Sequence, residues 1–201
     1  VTAPATRPAV RGGRGEARRR QILEAAVRVI GTGGLAAVTH RAVAEEAGVP
    51  LGSTTYYFRD RDDLLAQTMA HAVEVEALRM ADAVGAVREE PSVEGSVALL
   101  TAIFLDKSVA DPLYDLALFE MFLEATRNPS VRAQTQAWSE LIAGIVDQLL
   151  PATTPDVPRT VVVQVVGALI DGLMLEAASN RELTVPELAA HLRAVVERFA
   201  A

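Results

Sequence analysis

Residues 38–61, VTHRAVAEEAGVPLGSTTYYFRDR, decide how this chain is read. They spell two short helices joined by a tight turn. Thr39 suits the N-cap of the first, because its hydroxyl accepts from a free backbone N–H of the first turn. Ala42, Val43 and Ala47 give that helix a small apolar inner face, so a second helix can cross close by. Gly48 stands where the first helix must stop, and glycine tolerates the left-handed backbone of a C-cap. Val49 plugs the angle between the helices. Pro50 presets the first turn of the next helix, where a missing N–H costs little. That second helix runs from Leu51 to Tyr57 and ends at Phe58. It is short, has no acid before Asp60, and is crowded with hydroxyls. Hydroxyls and a glycine that permits close approach suit base edges and phosphate oxygens. The pattern is that of a helix-turn-helix whose second helix enters the major groove. A plain helical hairpin with a polar outer face is the blander alternative.

The charge distribution agrees. Net charge is −7 over 201 residues, which taken whole argues against nucleic acid. Residues 1–61, however, hold ten arginines against five acids, a net of +5, and residues 62–201 carry −12. A basic head on an acidic body attracts phosphate at one end only. Half of the residues are hydrophobic and none is cysteine, so a sizeable core forms without a disulfide framework. Period-two alternation and Asn-Gly hairpin signals are missing, and an all-α fold is expected.

Outward from the hairpin, about nine helices are expected. Residues 1–15 mix Pro, Gly and Arg without periodicity and read as a flexible basic tail. Contact of that tail with DNA is the sharper alternative. A first helix spans about Glu16–Thr32, with Ile22, Ala26, Val29 and Ile30 on one face. Residues 16–60 form the head and 61–201 the body. A long helix, from about Asp60–Asp62 to Ala86, connects the two. Breaks at 88–91, Asp111-Pro112, Asn128-Pro129-Ser130 and 151–158 separate five further helices. The apolar run near Val161–Leu175 falls short of the roughly 20 residues of a membrane span and reads as a buried helix. In the last helix Leu188, Leu192, Val195 and Phe199 step by four, three and four, the spacing of a helix–helix seam. The N-terminus lacks an apolar secretion segment, and a cytoplasmic location is expected.

The sequence resembles the TetR family of transcriptional repressors. The resemblance is carried by residues 18–65: an Arg-rich first helix, GTGGL, THRAVAEEAGV, GSTTYYF, and RDRDDLL opening the fourth helix. It implies a three-helix DNA-binding head, a ligand-binding helical body and a homodimer made by the last two helices. It also implies roles. Thr39 touches phosphate, and Arg41 reaches backbone or a base edge. Leu51, Ser53, Thr54 and Thr55 face bases, and Gly52 permits the approach. Tyr56, Tyr57 and Arg61 grip the backbone. The chain departs from the family pattern at Thr55, commonly Tyr, and at Leu51, often basic, so the operator sequence does not carry over. With the last two helices as dimer elements, Val166, Leu169 and Leu173 join Leu188, Leu192, Val195 and Phe199 as expected interface residues.

Enzyme chemistry finds no support. His40, His71 and His191 have no metal-pair spacing, and the Asp62-Asp63 and Glu89-Glu90 pairs read as solvated caps. No phosphate-binding glycine motif is present. No metal or cofactor is expected. The body's aromatics and methionines suit an apolar or aromatic effector. His71, Phe104, Tyr114, Phe119, Phe122, Trp138 and Met174 are the candidate ligand-binding residues. His71, Asp106, Glu120, Gln134 and Asp171 are candidates for orienting the ligand by hydrogen bonds. Asp171, in an otherwise apolar helix, is equally suited to an interface or a cap, because an unpaired buried charge is costly. The favoured reading is a ligand-released repressor on a palindromic operator. A helical protein-interaction module, or a ligand-independent or activating regulator of the same fold, stands as the alternative.

Overall fold

A computed structural model describes residues 11–85, 91–110, 112–179 and 183–201. Among these the chain forms nine α-helices and one 3-10 turn, and no strand longer than an isolated bridge. The first ten residues of the expected tail lie outside the described residues. Helix α1 spans Arg11–Gly33, so it starts five residues before the expected Glu16. The early turns are held by packing: the Tyr57 hydroxyl lies 3.5 Å from where a Cβ on Gly15 would stand.

The head is α1, α2 (His40–Glu46) and α3 (Leu51–Tyr57) around a core that includes Ile22, Leu23, Ile30, Val43, Val49 and Phe58. Thr39 caps α2, its hydroxyl accepting from the Ala42 N–H at 3.0 Å. Gly48 turns the chain with φ +63°. The Gln21 side chain donates to the Ala47 carbonyl at 2.7 Å and so satisfies the end of α2.

Helix α4 (Arg61–Gly85) runs from the head into the body, about 37 Å at 1.5 Å per residue. The body adds α5 (Val93–Ala110), α6 (Pro112–Ala125), α7 (Pro129–Leu149), α8 (Arg159–Ser179) and α9 (Val185–Phe199). Helix α4 packs mainly on α7, α1 on α6 and α5 on α9. Asn128 caps α7 and donates from Nδ2 to Asp62 Oδ1 at 2.9 Å, joining the start of α7 to the start of α4. Arg159 opens α8 by bonding the Asp147 carboxylate and the carbonyls of Asp147, Leu150 and Pro151 at the end of α7. A capping box of Thr184 and Glu187 starts α9.

A second joint between head and body was not legible in the sequence. Gly34 adopts φ +71°, and the following Leu35 N–H donates to Glu120 Oε2 of α6 at 2.7 Å. A Cβ on Gly34 would come within 3.0 Å of the Glu120 carboxylate, so glycine serves both the backbone angle and the close approach. Arg61 closes the same turn, donating to the Leu35 and Val38 carbonyls at 2.7 and 3.2 Å.

Two expectations about the last helices are corrected. Leu188 and Leu192 are fully buried within the protomer, where α9 packs against α5, and Val166 is buried likewise. These side chains serve the chain's own core and offer no surface to a partner copy. Leu169, Leu173, Val195 and Phe199 are only partly covered. Helix α8 is also not simply a buried helix. By length and composition alone it is apolar enough to cross a membrane, yet only 22% of that window is buried. Val162, Val163, Val166, Ile170 and Met174 face inward. Val161, Val165, Ala168, Gly172 and Leu175 face outward at steps of four, three, four and three. An apolar residue set on both sides hides the amphipathic period that would tell the inward face from the outward one.

Candidate nucleic-acid interface and internal cavity

Helix α3 has two distinct sides. Leu51, Gly52, Thr55 and Tyr56 are exposed, Tyr56 at 81%. These positions repeat at i, i+1, i+4 and i+5 and share one face. Ser53 and Tyr57 flank it, half-buried. The Tyr56 and Tyr57 rings meet edge to face, with centroids 5.0 Å apart. Gly52 deserves its place on that face for no internal reason, since a Cβ there would meet nothing within 4 Å. Glycine inside a helix costs roughly 0.5–1 kcal/mol relative to alanine, and no packing contact inside the chain requires it at this position.

Thr54 lies on the opposite side. It is completely buried, and its hydroxyl donates to the Leu51 carbonyl at 2.8 Å, with the His40 carbonyl at 3.2 Å. The base-facing role expected of Thr54 is therefore corrected. Its hydroxyl ties α3 to α2 inside the head, four residues ahead of the equally buried Phe58.

Thr39 and Arg41 are exposed, as are Arg14, Arg18 and Arg20 on α1. Other basic side chains are already engaged. Arg28 pairs with Glu46 at 2.7 Å, and Arg19 donates to Gln67 at 2.6 Å. Arg61 spends two of its nitrogens on the Leu35 and Val38 carbonyls. It positions the turn whatever else it touches. Arg59 lies on Asp60, and this hydrogen bond and charge raise the guanidinium pKa further. The Asp63 carboxylate accepts from the Arg59 N–H and from Gln67, which holds its pKa below the ordinary range.

The body encloses a cavity of about 260 Å3. Its aromatic walls are Phe104 of α5, Phe119 and Phe122 of α6, and Trp138 of α7. Met80, Leu118, Ile142, Ile170 and Met174 fill the gaps between them, and Asp115 and Asp171 supply the charge. The size lies just under the roughly 300–1,000 Å3 of drug-sized pockets, so a compact ligand fits.

The sequence reading and the cavity overlap in part. Phe104, Phe119, Phe122, Trp138 and Met174 come together there. His71 and Tyr114 do not. Tyr114 sits outside the lining and donates to the Ala72 carbonyl at 3.2 Å. His71 is half-buried on α4, and burial pushes its pKa below the ordinary value. Glu120 is committed to Leu35, and Gln134 is not part of the lining. The Asp106 side chain lies outside the described residues. Among the cavity residues that the ligand list lacked, Met80, Leu118 and Ile142 carry no distinguishing sequence signal, because they match any core helix.

Among the described residues no cluster of His, Asp and Glu could hold a metal ion. Residues 22–68 match the family described as bacterial regulatory proteins, tetR family, and residues 91–201 match the tetracyclin repressor-like C-terminal domain. The transcriptional regulator BetI of Burkholderia thailandensis is 29% identical over 168 residues, covering 81% of this chain and 83% of BetI. Among solved structures, the multidrug binding protein EbrR complexed with ethidium is 28% identical with a TM-score of 0.65, covering 89% of this chain and 98% of EbrR. The TetR family member SCO1917 of Streptomyces coelicolor is 27% identical with a TM-score of 0.69, covering 89% and 98%. The order of the helices, the hairpin in the head and these matches to both halves agree: the chain belongs to the TetR family and is a DNA-binding regulator.

Proposed function

We propose that the protein is a homodimeric transcriptional repressor, released from a palindromic operator when a small apolar or aromatic effector enters the body. The observation that carries the DNA half is the outward face of α3. It is uncharged, bears the Thr55 and Tyr56 hydroxyls, and opens at Gly52 onto empty space. Base edges are read by hydrogen bonds from such groups, while the exposed arginines of α1 and α2 supply sequence-independent attraction. Thr39 and Tyr57 would add phosphate contacts at the two ends of the hairpin. The neutral face suits base edges better than it suits an acidic protein groove, which disfavours the interaction-module reading.

The outward apolar stripe of α8, Val161, Val165, Ala168, Gly172 and Leu175, supports a second copy as the partner. Its steps are those of a helix–helix seam, and its small central residues allow close approach. Two heads so joined would enter successive major grooves. The cytoplasm is the natural compartment for such a regulator.

The cavity supports the effector half. It touches α4 through Met80 and α6 through Leu118, Phe119 and Phe122. Both helices reach the head, α4 through Arg61 and α6 through Glu120. Met80 lies 19 residues from Arg61, about 28 Å along the helix. EbrR, described as a multidrug binding protein and solved with ethidium, supports a flat aromatic occupant. Such a ligand must favour the head spacing that does not fit the operator, since only differential affinity shifts an equilibrium.

Selection of bound duplexes from a random pool, at physiological salt, tests this reading. A two-fold symmetric enriched sequence, with affinity falling steeply as salt rises, is expected. Binding without any enriched sequence would overturn the operator reading and return weight to a general phosphate-binding or interaction module.

A further inference from the structure

The charge content of the cavity goes further than its size and apolarity. Among the described residues its charged lining consists of two acids: Asp115 in the first turn of α6 and Asp171 in the middle of α8. Among the described residues no lysine, arginine or histidine is part of the lining. Helix α8 has a single basic residue, Arg159, and that side chain is spent on the end of α7. Among the described residues no hydrogen bond or ion pair reaches the Asp171 carboxylate, and burial among apolar walls raises its pKa above the ordinary value. Its neighbours one turn on are Met174, inside the cavity, and Leu175, on the outward stripe. The carboxylate stands at the cavity edge, where solvent also reaches it. Asp115 already has an interaction of its own, so Asp171 is the freer of the two.

We infer that the cavity selects a compact organic cation, its rings among Phe104, Phe119, Phe122 and Trp138 and its positive charge toward Asp171, with Asp115 in support. An anion would meet the Asp171 carboxylate, which has no counter-charge among the described residues. An uncharged ligand would take water from that acid and return nothing. A cation compensates it, and the surrounding aromatic rings attract it as well. The inference rests on the cavity being the effector site of the proposed regulator.

The test uses the full chain at pH 8 and two probes of the same shape, N-methylquinolinium and its uncharged isostere 1-methylnaphthalene, titrated calorimetrically. The cation is expected to bind at least roughly tenfold more tightly, the scale of one charge pair. Asp171→Asn should erase most of that gap and leave the isostere unchanged, and Asp115→Asn should narrow it less. Asp171→Ala serves if the amide variant fails to fold by circular dichroism. Equal or tighter binding of the isostere would overturn the inference, as would a folded Asp171 variant that keeps the full preference. Release from the selected operator is measured separately. Cation binding without release would overturn the regulatory reading alone. Release by uncharged ligands, with no preference for the cation, would overturn this inference alone.

Discussion

The head and the body of this protein handle a functional surface in opposite ways. In the head the chemistry lies outside, on a seven-residue helix whose inner side is Thr54 and Phe58. In the body the proposed effector site lies inside, in a cavity to which five helices each give one to four of the described side chains. A short helix that must both dock and read can be parsed from a few residues, because each position does one thing. A cavity is a shared property of distant segments, and no single segment encodes it. The two are also joined differently from a simple lever: α4 runs between them, but Glu120 of α6 holds the turn after α1 directly.

Breaking the head from within should give the largest effect. Phe58 is fully buried beneath α3, and Phe58→Ala is expected to cost about 3–5 kcal/mol, read by urea unfolding. A loss below about 1 kcal/mol would mean that the head is far less tightly packed than its buried residues indicate.

Cutting the second joint comes next. Glu120→Ala removes a charged acceptor from the Leu35 N–H, a loss of about 1.5–3 kcal/mol if nothing replaces it. Operator affinity in the absence of effector should change little, while release by a cavity ligand should weaken. Unaltered release, measured by fluorescence anisotropy of labelled operator, would show that the Glu120 joint does not carry the signal.

The two sides of α3 can then be separated. Thr54→Val removes a buried hydroxyl bond and should cost about 1 kcal/mol of stability without altering the preferred operator sequence. Tyr56→Phe, on the exposed side, should leave the melting temperature unchanged and weaken DNA binding. The opposite pairing, with Thr54→Val changing sequence preference, would restore Thr54 as a base contact.

The smallest effect carries the most diagnostic sign. Gly52→Ala fills open space on a helix and should stabilise the free protein by up to about 1 kcal/mol. It should nonetheless weaken operator binding, because the added methyl stands where the duplex approaches. Stabilisation with undiminished binding would remove the reason given for glycine there.

Much of this was legible in the sequence, and the particular residues say why. The caps are chemically local. Thr39 before α2 and Asn128 before Pro129 announce helix starts, and both bond as their positions suggest. The aromatic residues of the cavity were visible as a group, because large apolar side chains spread over several helices must meet somewhere. Which of them surround space was not visible. Tyr114 and Phe119 look equally eligible in sequence, yet one reaches the Ala72 carbonyl and the other the cavity. The dimer seam was misread for a related reason. Leu188 and Leu192 have seam spacing because α9 packs on α5 of its own chain, and periodicity does not say whose helix lies opposite.

The sequence by itself determined the helices, the turn of the hairpin, the basic head and the acidic body. These depend on neighbours within a few residues: capping side chains, apolar spacing, a glycine at a positive φ and the sign of local charge. Tertiary structure alone decided that Thr54 points inward, that Glu120 reaches the backbone 85 residues earlier, and that Asp115 and Asp171 share one cavity. Those outcomes follow from the way rigid helices cross. Crossing fixes which faces meet, and a residue's chemistry is the same whichever face it is given.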